Sequence, residues 1–156
     1  MFLRSVAVPD GSTIDLRHAD PGVGGHNVSP DLAWGDAPEG TLSYLVTCFD
    51  PDAPTGSGWW HWVLTDIPAG IHSIPEGGSL PAGARAWQND SGGDWWDGPY
   101  PPPGHPAHHY HFRVAALDVA KLDVAADAPR AGALLTAGFH VLADAGFVAL
   151  FTNPAR

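Results

Sequence analysis

Apolar residues along this chain gather in short runs cut by glycine and proline, a pattern that predicts strands joined by ordered turns rather than long helices. Leu42–Phe49 is apolar on both faces, as a strand in the middle of a sheet must be. Trp60–Ile67, which ends at Pro68, and Tyr110–Leu117 read as two further strands of the same core. Period-two alternation puts His61 on the face of Val63, Thr65 and Ile67, opposite Trp60, Trp62 and Leu64. The same rule puts His108, Tyr110 and Phe112 on one face of their strand, and His109, His111 and Arg113 on the other. One helix is predicted over Pro129–Ala145, because Leu134, Leu135, Val141, Leu142 and Ala145 recur at helical spacing and Gly146 follows as a stop. A last strand, Phe147–Thr152, follows it. No repeat, low-complexity tract or linker divides the chain, so residues 1–156 are read as a single, mainly β domain.

Composition narrows the classes. At 156 residues the chain is long enough for a core that needs no staples, and its single cysteine, Cys48, cannot form an internal disulfide or a thiolate cage. The formal net charge of −10 argues against nucleic acid and anionic membrane surfaces as partners. No run approaches the ~20 apolar residues that span a bilayer, and the N-terminal segment lacks the apolar stretch of a signal peptide, so a cytoplasmic location without stable membrane insertion is expected. Nine histidines make the charge strongly dependent on pH near neutrality.

Two stretches carry chemistry. Asp50-Pro51-Asp52-Ala53-Pro54 follows the central strand, and its two prolines stiffen the rim on which Asp50 is held. A plain strand-ending turn is the structural alternative. Close behind it, Trp59-Trp60-His61-Trp62 sets an imidazole among large aromatics, where a satisfied core histidine is the structural alternative. The second stretch, Gly98-Pro99-Tyr100-Pro101-Pro102-Pro103-Gly104-His105-Pro106-Ala107-His108-His109-Tyr110, is a stiff loop that feeds a strand and lets His108 and Tyr110 share a site. Its histidines do not read as a metal site, since alternation turns His109 away and a first-row metal wants three or four convergent ligands. No metal or cofactor is expected. The pair Trp95-Trp96 in a glycine-rich segment is read as an exposed apolar patch suited to a homodimer contact.

These segments, taken in order with Ser29-Pro30-Asp31-Leu32-Ala33-Trp34 and Pro38-Glu39-Gly40-Thr41 before them, resemble the phosphatidylethanolamine-binding protein family, also called the Raf kinase inhibitor protein family, in its short bacterial form. The resemblance covers nearly the whole chain. It implies an antiparallel β-sandwich-like fold with a few peripheral helices and a small surface cavity for phosphate-like anions. Asp50, His61, His108 and Tyr110 match that cavity; Asp52, Trp59 and Gly98 match positions around it, and Pro101 and Pro102 match its rim. His109 stands where the family usually has arginine, a position read as supporting rather than ligand-contacting. Asp97 makes this rim more acidic than the family pattern.

The function expected from the resemblance is a binding module for a phosphorylated or anionic group that modulates a partner such as a kinase or protease. Asp50 is expected to fix the tautomer of one imidazole and to favour its protonated form, with Trp59 packing on carbon or on an ethanolamine-like cation. The alternative is a small-molecule cyclase, isomerase or hydrolase using Asp50, His61 and His108 for acid–base catalysis. Against it, the chain has no nucleophile elbow, no phosphate-cradling glycine loop and no dinucleotide fingerprint, and Cys48 lies in a buried strand. A third possibility is a protease-inhibitory interaction through exposed loops.

Overall fold

A computed structural model describes residues 1–154, and the last two residues of the 1–156 domain lie outside the described residues. Among the described residues eight strands and one α-helix follow in chain order, with two short 3-10 helices (Leu16–His18 and Pro21–Val23) between the first two strands: β1 (Phe2–Arg4), β2 (Leu32–Gly35), β3 (Ser43–Asp50), β4 (Trp59–Pro68), β5 (Ser73–Ile74), β6 (Arg85–Ala86), β7 (His108–Leu117), α1 (Arg130–Gly138) and β8 (Val141–Phe151). They form two antiparallel sheets, one ordered β1-β2-β5 and the other β6-β4-β3-β7-β8. The fold is therefore mainly β, as the hydrophobic runs predict, and antiparallel, as the family resemblance implies.

The two faces of the larger sheet bury different things. One packs Tyr44, Val46, Cys48, Trp62, Leu64, Tyr110 and Phe112 against Leu3, Leu32, Trp34 and Ile74 of the smaller sheet. The other packs Leu45, Val63, Ala115 and Leu117 against Ala133 and Ala137 of α1, whose small side chains let the helix sit close to the strands. β3 is buried from both sides, which is why its sequence shows no polar face.

Strict alternation fails in β4 at two β-bulges. Cys48 pairs with Trp62 but Phe49 with Trp60, so His61 is an extra residue on that strand; a second irregularity lies between the Val46–Leu64 and Tyr44–Ile67 pairs, where Asp66 has φ of 59°. Each bulge swaps the faces. His61 therefore lies on the side of Trp62, Trp96 and Tyr110 and not with Val63 and Thr65, and Ile67 rejoins Leu64 in the core between the sheets.

The predicted helix over Pro129–Ala145 is corrected to Arg130–Gly138. Val141, Leu142, Ala145 and Gly146 belong to β8, which pairs with β7 from Val141 to Phe151. Val141, Ala143 and Ala145 alternate with exposed Leu142 and Asp144, so the segment has a two-residue period that the apolar count at helical spacing concealed. Gly146 is no helix stop: a Cβ there would meet the Phe112 carbonyl oxygen at 2.6 Å, so the strand crosses too near for any side chain. Trp96 is buried in the core between the sheets and Trp95 packs against Trp62, so this pair is not the exposed patch expected of a dimer contact.

Candidate functional site

The cavity begins where β3 stops. Asp50, buried at its end, spends both carboxylate oxygens locally: Oδ1 accepts the Asp52 backbone N–H at 2.8 Å and Oδ2 accepts His108 Nδ1–H at 2.7 Å. The first bond is the turn that Asp-Pro-Asp chemistry favours, and it leaves the second oxygen aimed at β7. His108 is the first residue of β7, and its ring is buried. Because an ionised carboxylate only accepts, Nδ1 carries the proton, and neutral His108 offers a lone pair at Nε2.

His61 is held from a different direction. Its Nδ1–H donates to the Asp97 backbone carbonyl at 2.7 Å, and Asp97 N–H donates back to the His61 carbonyl at 3.1 Å. This reciprocal pair fixes the neutral tautomer, with the lone pair of Nε2 directed away from Asp97. Burial pushes the His61 pKa below the ordinary imidazole value, and the opposing influence of the Asp97 carbonyl and of the Asp97, Asp50 and Asp90 charges does not overcome it. At His61, which the Asp97 carbonyl and not Asp50 holds, desolvation thus dominates. Tyr110, 5.1 Å from His61 between ring centroids, is completely buried; burial first, and the Asp50 charge second, hold its hydroxyl far above the usual phenol range, so it is an O–H donor at every physiological pH.

Asp50, Trp59, His61, Gly98, Pro101, Pro102, His108 and Tyr110 are brought together around one cavity of about 260 Å³. Two of its buried polar atoms, Nε2 of His61 and Oη of Tyr110, have no hydrogen-bond partner among the described residues. Asp52 is not among its walls. It is half-exposed and accepts both the backbone N–H of His109 at 2.8 Å and its Nδ1–H at 2.7 Å, clasping the 50–54 loop to β7 from outside. That bond, with the charge of His109, lowers the Asp52 pKa. His109 thus supports the loop and does not face Tyr110.

Several wall residues carried no sequence signal of their own. Asp20 reaches the cavity from the N-terminal segment, and Tyr100 overhangs it. Ser91 and Trp59 both donate to Asp97 Oδ2, the latter at 3.3 Å, which holds this carboxylate at the rim. Asn27, in the left-handed region at φ 53°, accepts Gly98 N–H at 2.7 Å and donates to the Trp96 carbonyl at 3.2 Å, so it sets the 96–98 segment against β4. The interior is thus two imidazoles and a phenol, ringed by Asp20, Asp50 and Asp97. Among the described residues no three His, Cys, Asp or Glu side chains are grouped to hold a metal ion, and no helix is long and apolar enough to cross a membrane.

Other proteins share this arrangement of sequence and fold. The family profile described as phosphatidylethanolamine-binding protein matches residues 4–152. The UPF0098 protein YbhB of Escherichia coli K12 is 45% identical over 97% of this chain and 100% of its own. The crystal structure of E. coli YbcL, described as a new member of the mammalian PEBP family, superposes with a TM-score of 0.89 at 37% identity, covering 96% of each chain. A putative lipoprotein, LppC of Mycobacterium tuberculosis H37Rv, is 36% identical over 77% of this chain and 57% of its own.

Proposed function

The chain belongs to the phosphatidylethanolamine-binding protein family, and from that premise we propose that its cavity binds a phosphoryl group or similar oxyanion and that occupancy regulates a partner such as a kinase or protease. One observation carries the reading: His61 Nε2 and Tyr110 Oη are buried without partners. A buried polar atom left unsatisfied costs about 1–3 kcal/mol, and a ligand that bonds both removes that cost.

The tautomers define which anion suits the site. Neutral His61 presents an acceptor, and Tyr110 presents a donor. A phosphate monoester monoanion matches both, since its P–OH donates to His61 Nε2 while a phosphoryl oxygen accepts from Tyr110. A dianion binds with uptake of one proton on the imidazole. Either way the site takes an anion together with a proton, which compensates for the acidic rim. Trp59, Asp20 and Asp97 suit an ammonium carried by the same ligand, through a face contact worth about 0.5–2 kcal/mol and through charge. Action in the cytoplasm is part of this proposal.

A second reading has one specific support. The 2.7 Å Asp50–His108 bond is the arrangement that orients a general base, which suits an isomerase, cyclase or hydrolase. Cys48 supplies no nucleophile for it, because burial holds the thiol well above its usual pKa.

Calorimetric titration with inorganic phosphate and O-phosphoethanolamine at pH 6 and pH 8 tests the binding reading. Saturable binding, tighter at pH 6 and lost in a His61→Ala, His108→Ala double variant that still folds, is the expected result. Absence of binding to folded wild-type protein overturns it in favour of an organic substrate.

A further inference from the structure

His105 is the one histidine of the proline-rich loop that no part of the reading above uses. It sits between Gly104, at φ 81°, and Pro106, with its backbone N–H closing a turn onto the Pro102 carbonyl at 3.2 Å. Its ring lies 5.5 Å from that of His108, and Nδ1 of His105 is 3.3 Å from Nε2 of His108. With Nδ1 of His108 committed to Asp50, Nε2 is the only nitrogen of this cavity-wall imidazole left to meet an anion. It is already occupied. A lone pair at His108 Nε2 can be satisfied only by a donor, so neutral His105 must carry its hydrogen on Nδ1 and give it to His108.

We propose that His105 is an internal cap on the anion site: its Nδ1–H holds His108 in the neutral, acceptor form, and an oxyanion must displace that bond before His108 Nε2–H can donate to it. The proposal rests on the anion-binding reading and deepens it by naming what governs occupancy. The contact is well placed to be released. At 3.3 Å it is long for a hydrogen bond, and His105 is only partly buried, whereas Asp50 and His108 behind it are fully buried. The sense of the bond follows the hydrogens: with a hydrogen on His108 Nε2 instead, His105 competes with the ligand only as an acceptor. The ionisable groups that bear on the pair are Asp50 from β3, His61 from β4, Tyr110 from β7, Asp20 and Asp97 from the opposite wall, and the Asp52 clasp outside. All but the clasp line the same cavity as His108, whose Nε2 is the atom for which cap and ligand compete.

The test is titration of wild-type protein, His105→Ala and His105→Asn with inorganic phosphate at pH 7.5 and pH 5.5. Removing the cap with His105→Ala should tighten binding about 2- to 10-fold at pH 7.5, the worth of one ordinary hydrogen bond. His105→Asn keeps an N–H donor that does not titrate, and should bind no more tightly than wild type at either pH. Unchanged or weaker binding by His105→Ala at pH 7.5 overturns the cap and makes His105 a neutral bystander or a ligand contact. Should none of the proteins bind phosphate, the binding reading fails, and the cap is then decided without anion by the ¹⁵N resonance of His108 Nε2: a shift on His105→Ala supports it, and an unmoved resonance overturns it.

Discussion

Gly98 offers the sharpest test of how the cavity is built. An added Cβ would lie 2.3 Å from the His18 carbonyl oxygen, 2.5 Å from the Ala19 carbonyl carbon and 2.6 Å from the Asp20 nitrogen. All three are backbone atoms, so no rotamer change relieves them. Restoring ordinary contact near 3.5 Å requires the 18–20 and 97–99 segments to part by about 1 Å. Three bonds span that seam or hang from it: Asp20 N–H to the Pro99 carbonyl at 3.1 Å, Trp96 Nε1–H to the His18 carbonyl at 2.9 Å, and Gly98 N–H to Asn27 Oδ1 at 2.7 Å. Overpacking costs about 1–3 kcal/mol and each of the three strained bonds about 1 kcal/mol, so Gly98→Ala should destabilise the fold by about 4–6 kcal/mol. For a chain of this size that lowers the melting temperature by about 10 °C. Gly70→Ala is the control, since nothing lies within 4 Å of its added Cβ, and it should stay within about 0.5 kcal/mol of wild type. Thermal melts followed by circular dichroism measure both. If Gly98→Ala melts within 2 °C of Gly70→Ala, the seam yields freely and the reasoning is wrong.

Two further outcomes follow from the unpartnered atoms. Tyr110→Phe removes a hydroxyl that bonds nothing in the protein, so chemical denaturation should show stability equal to or slightly above wild type, while phosphate affinity falls about 2- to 10-fold; a loss of stability above about 1 kcal/mol would mean the hydroxyl serves the fold. His61 is neutral and buried with its pKa below the unfolded value, so the unfolded chain binds the extra proton. Its contribution to stability is complete above about pH 6.5 and is lost as pH falls from there through the folded pKa. Melting temperatures at pH 7.5 and 5.5 should therefore differ more in wild-type protein than in His61→Gln, and equal differences would assign the acid sensitivity to other groups.

β3, β4 and β7 were legible because each runs for eight residues or more and is buried on both faces over most of its length, whereas the edge strand β8, equally long, alternates small and exposed residues through its first half and was partly read as helix. β1, β2, β5 and β6 span two to four residues each, too short to show a period, and the presence of the first three follows from the core residues Leu3, Leu32, Trp34 and Ile74 only once the larger sheet is in place. At the site, side-chain chemistry was readable and backbone chemistry was not. Asp50 and His108 declare themselves as a carboxylate and an imidazole, whereas His61 is held by the carbonyl of Asp97, a group every residue possesses. Asp20 and Asn27 join the cavity by tertiary contact alone, from a segment more than seventy positions before the loop they meet. Asp52, which the resemblance sets around the cavity, meets its partner His109 through both a backbone and a ring N–H, a pairing that strand alternation alone does not reveal.

The extra residue in β4 has a consequence for how such a site can be gained or lost. Because His61 reaches the cavity through an unpaired position, its address depends on a tally of residues between two anchors and not on which residues they are. Shortening that stretch by one codon would leave every side chain of the cavity in the gene and swing the imidazole to the far side of the sheet. Exchange of one amino acid for another leaves that tally unchanged, whereas insertion and deletion alter it, so this cavity depends on strand length as much as on residue identity.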